Sequence, residues 1–264
     1  MKLIFTVWSF QNLNLMKQFF AHYRELGVTD FYCIFHTYGM EDTVIYDYVK
    51  QNATIVYEWD EPFTSIKDAS LRNKFKTELA DSEDEWIWIV DADEFINITK
   101  ERLDELMANE DANYVNGWLV DRFSPLGLIP AEDLPVFDQF PIRTFFCREK
   151  LRGSANKIPL SRAYVLLYTG LHAAVNTSAD GSAHDDRPLV SANPDWQEWV
   201  EVGHVKWHED ILEEIYKKFT KTALICEYES RELGIFVLEY CYKKKSIEEI
   251  IHDVTIDGKF EIIK

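Results

Sequence analysis

The chain has 264 residues, with 28 Lys and Arg against 46 Asp and Glu and a formal net charge of −18 at pH 7. With no basic block, so acidic a chain excludes a nucleic-acid partner and is repelled by an anionic bilayer, because binding phosphate arrays needs clustered Lys and Arg. Hydrophobic residues make up 47% and charged residues 28%, which excludes a disordered chain and leaves interior enough for one large domain.

Taken in chain order, Leu3–Val7 reads as a buried strand, its apolar run too short for a signal peptide. Leu13–Leu26 carries Leu15, Phe19, Phe20, Tyr23 and Leu26 at helical spacing and stops at Gly27. Asp30–Phe35 predicts a strand, Asp42–Gln51 a helix, Ala53–Trp59 a strand and Ser65–Leu79 a helix. Glu85–Val90 predicts a fourth strand, running into Asp91-Ala92-Asp93-Glu94. Strands alternating with helices of this length indicate βαβ units and a largely parallel sheet. Asn113–Val120 reads as a further strand, Pro125–Pro141 as loop, and Ala179–Pro194 as a polar, turn-rich active-site loop. His208–Leu233 reads as a long amphipathic helix or helix pair, and Ser246–Lys264 as a short helix and final strand. No stretch approaches the roughly 18 apolar residues of a membrane span. Cys33, Cys147, Cys226 and Cys241 are widely spaced with no Cys-x-x-Cys, which favours free thiols and a cytoplasmic location.

Asp91 and Asp93 follow a strand expected at the centre of the sheet, and open α/β sheets bind ligands beyond the carboxyl ends of their strands. Paired carboxylates there suit Mg²⁺ or Mn²⁺ shared with substrate phosphates. The other reading is that Asp91 or Glu94 caps a following helix; the strand context favours metal. A second cluster is Gly203-His204-Val205-Lys206-Trp207-His208. Folded back over the strand end, His204 would offer a neutral imidazole to the metal and Lys206 a charge to a diphosphate; the alternative is a loop histidine and a surface lysine.

These residues resemble the glycosyltransferase family 2 type of GT-A enzyme, in particular a bacterial subgroup with an Asp-Ala-Asp-Glu-Phe motif. The likeness runs in motif order through Leu13–Gly27, the Gly39–Thr43 turn, Arg72-Asn73, Trp88–Phe95, Gln139-Phe140-Pro141 and His204–His208. It implies an α/β GT-A fold with a Rossmann-like, mostly parallel central sheet flanked by helices. It also implies one domain over residues 1–210, with a nucleotide-binding half (1–100) and an acceptor half (101–210). Residues 211–264 would form a helical extension packed on that domain. The implied activity is metal-dependent, inverting transfer of a sugar from a nucleotide-sugar, usually UDP-linked, to a glycan or lipid-linked acceptor. Such an acceptor would bring peripheral membrane contact. Carried over, Asp91, Asp93 and His204 would hold Mn²⁺ or Mg²⁺, and Arg72, Asp91 and Lys206 would hold the nucleotide. His36 stands where many relatives have an aspartate near the base, and Gln11 where many have a glutamate.

Inverting transfer also requires a carboxylate base for the acceptor hydroxyl. Candidates are Asp121, Asp185, Asp186 and Asp195, with Asp186 or its neighbour Asp185 preferred because the pair falls in the loop ahead of the His204 segment. Asp121 and Arg122 can equally pair with each other. His172 either lines the site or is a satisfied core histidine. Trp196, Trp199 and Trp207 are candidates for stacking on acceptor sugars. Two other classes compete: a metal-dependent hydrolase or nucleotidyltransferase using the same acidic site, and a non-catalytic carbohydrate-binding relative.

Overall fold

In β1 (Lys2–Trp8), Leu3, Ile4, Phe5 and Val7 have no exposed surface. A strand apolar on both faces belongs at the centre of a parallel sheet with helices on either side. That is its place in the computed structural model, which describes residues 1–8, 11–40, 43–124, 131, 134–145, 148, 153–175 and 187–207. The expected C-terminal helices, Asp185 and Asp186 lie outside the described residues.

Strand β1 lies between β2 (Asp30–His36) and β4 (Trp86–Asp91), and β3 (Thr54–Trp59) adds to β2, all four parallel. Helix α1 (Leu13–Glu25) starts at Asn12, whose side chain accepts from the Leu15 N–H. It buries Leu15, Phe19, Phe20 and Tyr23 against the Leu3–Phe5–Val7 side of β1, with α2 (Val44–Asn52) alongside. Helix α3 (Ser65–Leu79), capped by Thr64, covers the other face with Leu71 and Phe75 against Ile4, Ile34, Ile87 and Ile89. One side-chain period of two thus feeds two cores, one on each side of the sheet.

The second half mixes directions. Strand β8 (Asn156–Arg162) runs antiparallel to both β4 and β6 (Tyr114–Phe123), while β11 (Val200–Trp207) runs parallel to β6. Strand β5 (Glu94–Asn97) is antiparallel to β11, and β7 (Ile142–Thr144) pairs with β6. The strand order is β3-β2-β1-β4-β8-β6-β11-β5. Strand β5 follows β4 within a short turn yet lies at the far end of that path, so the sheet curls on itself. The result is an α/β fold with a mostly parallel central sheet flanked by helices.

The structure departs from the sequence reading at several elements. Glu94 caps no helix; it opens β5, and the next helix, α4 (Lys100–Met107), is capped by Thr99. Strands β5, β7, β8 and β11 and helix α4 were not foreseen, and Pro125–Pro141 contains a one-turn helix, α5 (Val136–Gln139). Pro159 hid β8, because proline cannot donate to a ladder. It is tolerated where the β6–β8 register shifts, between Val115 and Gly117, and beyond the end of the β4 pairing at Leu160.

Candidate active site

The β4 terminus delivers two carboxylates into different surroundings. Asp91 lies beside Thr6 in the β1–β4 register and is gripped by two cations: Arg72 from α3 at Oδ1, and Lys157 from β8 with Nζ 3.0 Å from Oδ2. Arg72 is itself fixed, its Nε 2.9 Å from Asp68 Oδ2 and its Nη1 donating to the Val90 carbonyl at 3.0 Å. Thr6 Oγ1 in turn donates to Asp68 Oδ1 at 2.7 Å. Lys157 Nζ also lies 2.6 Å from Glu94 Oε1, while the Asp91 N–H donates to Glu94 Oε2 at 3.1 Å. Burial alone would raise the Asp91 carboxyl, but the Arg72 and Lys157 charges outweigh it and hold it well below the usual carboxylate range. Glu94 goes the other way, pushed up to about 7 by burial and by the neighbouring Asp91 and Asp93 charges against the pull of Lys157.

Asp93 turns instead to β11. Its carbonyl accepts from the Val205 N–H at 2.8 Å, which sets His204 beside it, and His204 Nε2 stands 3.5 Å from Asp93 Oδ2. In the ladders His204 lies opposite Asp121 on β6 and Glu94 on β5. Its Nδ1 is 3.0 Å from Asp121 Oδ1, and Asp121 has no exposed surface. Burial raises the Asp93 carboxyl, but the His204 ring and Lys206 together hold it below its ordinary value.

The fit to a divalent cation follows from this donor set. The Asp121 carboxylate on Nδ1 turns Nε2 towards Asp93, and a carboxylate behind the far ring nitrogen is the arrangement in which a metal-ligating histidine is usually found. One carboxylate and one imidazole, with water and phosphate completing the shell, suit Mn²⁺ or Mg²⁺. Among the described residues no cage of three or more His, Cys, Asp or Glu side chains is gathered. The expected trio separates accordingly: Asp93 and His204 meet, and Asp91 is engaged by Arg72 and Lys157.

Arg72 is buried beside Asp91, and Lys206 is near enough for its charge to act on Asp93. Asp121 pairs with His204 rather than with Arg122. Successive strand residues face opposite ways, and Arg122 binds Glu201 at 2.6 Å across the other face. Asp195 caps a single turn at Trp196–Glu198, accepting from the Gln197 N–H at 3.0 Å. The Trp199 and Trp196 rings gather around Trp118, 4.5 and 6.4 Å from it between centroids. Trp118 is three residues from Asp121 on β6, so this cluster belongs to the opposite face from Asp121. The Trp207 side chain lies outside the described residues.

Lys157 and Glu94 were missed as partners of Asp91. A lone lysine between Asn156 and Ile158-Pro159-Leu160 was the available signal, since a charged side chain inside an apolar strand is rarely buried without a partner. At the carboxyl ends of β1, β2 and β3, the Trp8 ring lies 4.1 Å from His36 and 5.0 Å from Phe63. His36 is buried, with Nε2 2.9 Å from the Glu61 carbonyl.

No protein-family model and no curated protein sequence matches the chain. Among solved structures it is similar to S. aureus TarS 1-349 in complex with UDP, at 14% identity over 94% of this chain and 76% of that one, TM-score 0.31. It is also similar to 4-diphosphocytidyl-2C-methyl-D-erythritol synthase from Anaerococcus prevotii, at 8% identity over 89% and 83%, TM-score 0.31. A third is HddC from Yersinia pseudotuberculosis, at 8% identity over 46% and 58%, TM-score 0.28. The chain thus spans 58% of the HddC chain and 43% of the longer S. aureus TarS chain. Likenesses this distant leave the functional argument to the site's own geometry.

Proposed function

We propose that this chain is a metal-dependent glycosyltransferase that moves a sugar from a nucleotide-sugar, UDP-linked, to a hydroxyl of a glycan or lipid-linked acceptor, with inversion. The observation that supports it most is the run Asp121–His204–Asp93 at the carboxyl end of the sheet. There a buried carboxylate orients an imidazole towards a second carboxylate. Asp93 and His204 would hold Mn²⁺ or Mg²⁺, and the bound cation would neutralise charge developing on the leaving diphosphate.

The charge balance supports the same reading. Asp68, Asp91, Asp93, Glu94 and Asp121 outnumber Arg72, Lys157 and Lys206 around the site. A diphosphate enters such a pocket only with a cation. Arg72 and Lys157 hold the Asp91 carboxylate fixed and ionised, so that it can accept from a ribose hydroxyl, and Lys206 is the protein's own cation for phosphate. The half-buried Trp8 and Phe63 rings, backed by His36, offer flat faces to a base. Asp186, or its neighbour Asp185, is the base that takes the acceptor proton, an assignment that rests on the pair's place in the sequence just ahead of the His204 segment.

Calorimetry of UDP with and without Mn²⁺, on the parent and on Asp93→Asn, tests this reading. We expect binding that needs both the metal and Asp93. UDP binding that ignores Mn²⁺, or no UDP binding at all, would overturn it. Incubating the parent with UDP-sugars and following UDP release against UMP release, and UTP when pyrophosphate is added, separates cleavage at the glycosyl carbon from hydrolysis within the diphosphate and from nucleotidyl transfer.

A further inference from the structure

The segment after β8 contains a strained turn that no role above uses. Strands β9 (Leu166–Leu167) and β10 (Ala174–Val175) pair, and between them Thr169–Leu171 forms one tight turn. Gly170 has φ 69° and Leu171 has φ 59°, the one left-handed non-glycine among the described residues. Left-handed backbone at a bulky residue costs energy and persists only where surrounding contacts enforce it. Those contacts come from α3: Asn73 exchanges two hydrogen bonds with the Leu167 backbone at 2.8 and 2.9 Å, and Lys76 donates to the Val165 carbonyl.

The consequence of the turn is the position of His172. Its Nδ1 lies 2.6 Å from the Asn156 carbonyl, which can only accept, so Nδ1 carries the proton and Nε2 a lone pair. Asn156 precedes Lys157 on β8, and the ring is near enough to Lys157 and Asp91 to feel both charges. Burial first, then the Lys157 charge, push the ring down to about 4, so it is neutral at physiological pH. Nε2 has no hydrogen-bond partner among the described residues. A Cβ at position 170 would stand 2.5 Å from Nε2; glycine alone both adopts the turn and leaves that nitrogen unobstructed.

We propose that His172 is a positioning residue whose Nε2 accepts a hydrogen bond from a substrate hydroxyl beside the Asp91–Lys157 pair, the hydroxyl being that of the transferred sugar or of the ribose. This rests on the nucleotide-sugar reading of the site. The Asn73 amide is already committed to the Leu167 backbone, whereas a neutral imidazole nitrogen offers one directional lone pair without adding charge to an acidic pocket.

The test is calorimetry of UDP and of UDP-glucose with Mn²⁺ on the parent, His172→Phe and His172→Gln, beside nitrogen NMR of histidine-labelled parent protein. Loss of about tenfold in UDP-glucose affinity in His172→Phe, with UDP unchanged, assigns the sugar hydroxyl; equal loss for both assigns the ribose. Partial rescue by His172→Gln and an upfield move of the His172 Nε2 resonance on ligand addition are expected in either case. Unchanged affinities in His172→Phe together with an unmoved Nε2 resonance would overturn the proposal while UDP binding by the parent leaves the nucleotide site standing. If the parent binds neither ligand, the nucleotide-sugar reading fails and this inference with it. Should His172→Phe not fold, the resonance in the parent decides.

Discussion

His204 stands between two carboxylates, and the one without solvent exposure decides which of its nitrogens carries the proton. Asp121→Ala should therefore lower Mn²⁺ affinity by about 10–100-fold, as loss of such partners does elsewhere. Asp121→Asn should cost less, because its amide oxygen still accepts from Nδ1; calorimetric titration with Mn²⁺ measures both. Lys76 makes a different prediction. It is wholly buried, its Nζ donates to Ser161 Oγ at 3.1 Å and to the Val165 carbonyl, and burial pushes its pKa down from 10.5 to about 7. Between those two values the unfolded chain holds a proton that the folded chain has released. Stability therefore rises with pH across that window, by at most about 1.4 kcal/mol per pH unit from this group. Urea unfolding at pH 7, 8 and 9 should show the slope in the parent and its loss in Lys76→Met. Neither position was legible as what it is. Asp121 was read as a base or as a partner of Arg122, and nothing along the chain marks which carboxylate a strand will set opposite a histidine.

At the scale of elements, two asparagines do the work of strand residues. The wholly buried Asn193 accepts from the Asn116 N–H at 2.8 Å and donates to the Asn116 carbonyl at 3.0 Å, carrying the pairing along β6 ahead of β11. Asn73 does the same for Leu167. Asn193→Ala leaves both Asn116 backbone groups without that partner, and the cost of such losses is about 1–3 kcal/mol per buried group. Chemical denaturation should show a loss of that order, and amide exchange should quicken at Asn116 before it does in β1. The first three helices and the first four strands were legible because short-range signals mark them. Leu13–Glu25 and Ser65–Leu79 bury one stripe each and begin at a side-chain cap, and β1, β2 and β4 are mostly apolar between their ends. Strands β5, β7, β9 and β10 have four, three, two and two residues; they exist because long-range partners hold them, and so short a run carries no period to read.

The whole molecule carries a net charge of −18, yet Arg72, Lys76, Arg122 and Lys157 are buried within it. Three of them meet carboxylates there, so the interior is a set of ion pairs whose members depend on one another. Replacing Lys157 by methionine removes the cation shared by Asp91 and Glu94, and breaking a buried pair this way costs roughly 3–5 kcal/mol. At low pH a second global effect enters. His22 has Nε2 3.0 Å from the Ile96 carbonyl, and burial pushes it down to about 4. The unfolded chain takes up that proton from about pH 6.5 downwards, so His22 contributes a loss of stability as pH falls from about 6.5 towards 4. Thermal melting at pH 7.5 and 5 should show it, and His22→Gln should reduce the difference.

The sequence by itself determined the alternation of strands and helices over the first hundred residues. It also determined the placing of Asp91-Ala92-Asp93 at the end of the fourth strand. Periodicity, caps and glycine stops act over one or two turns of chain, and such local physics is readable in one dimension. Tertiary structure alone decided which carboxylate each cation holds. Lys157 reaches Asp91 across 66 residues and His204 reaches Asp121 across 83. The outcome depends on the curl that brings β5 round to β11 and on which face each strand presents. Asp91 and Asp93 are two residues apart in sequence; the turn between β4 and β5 sends one to the cations of α3 and β8 and the other to the histidine of β11.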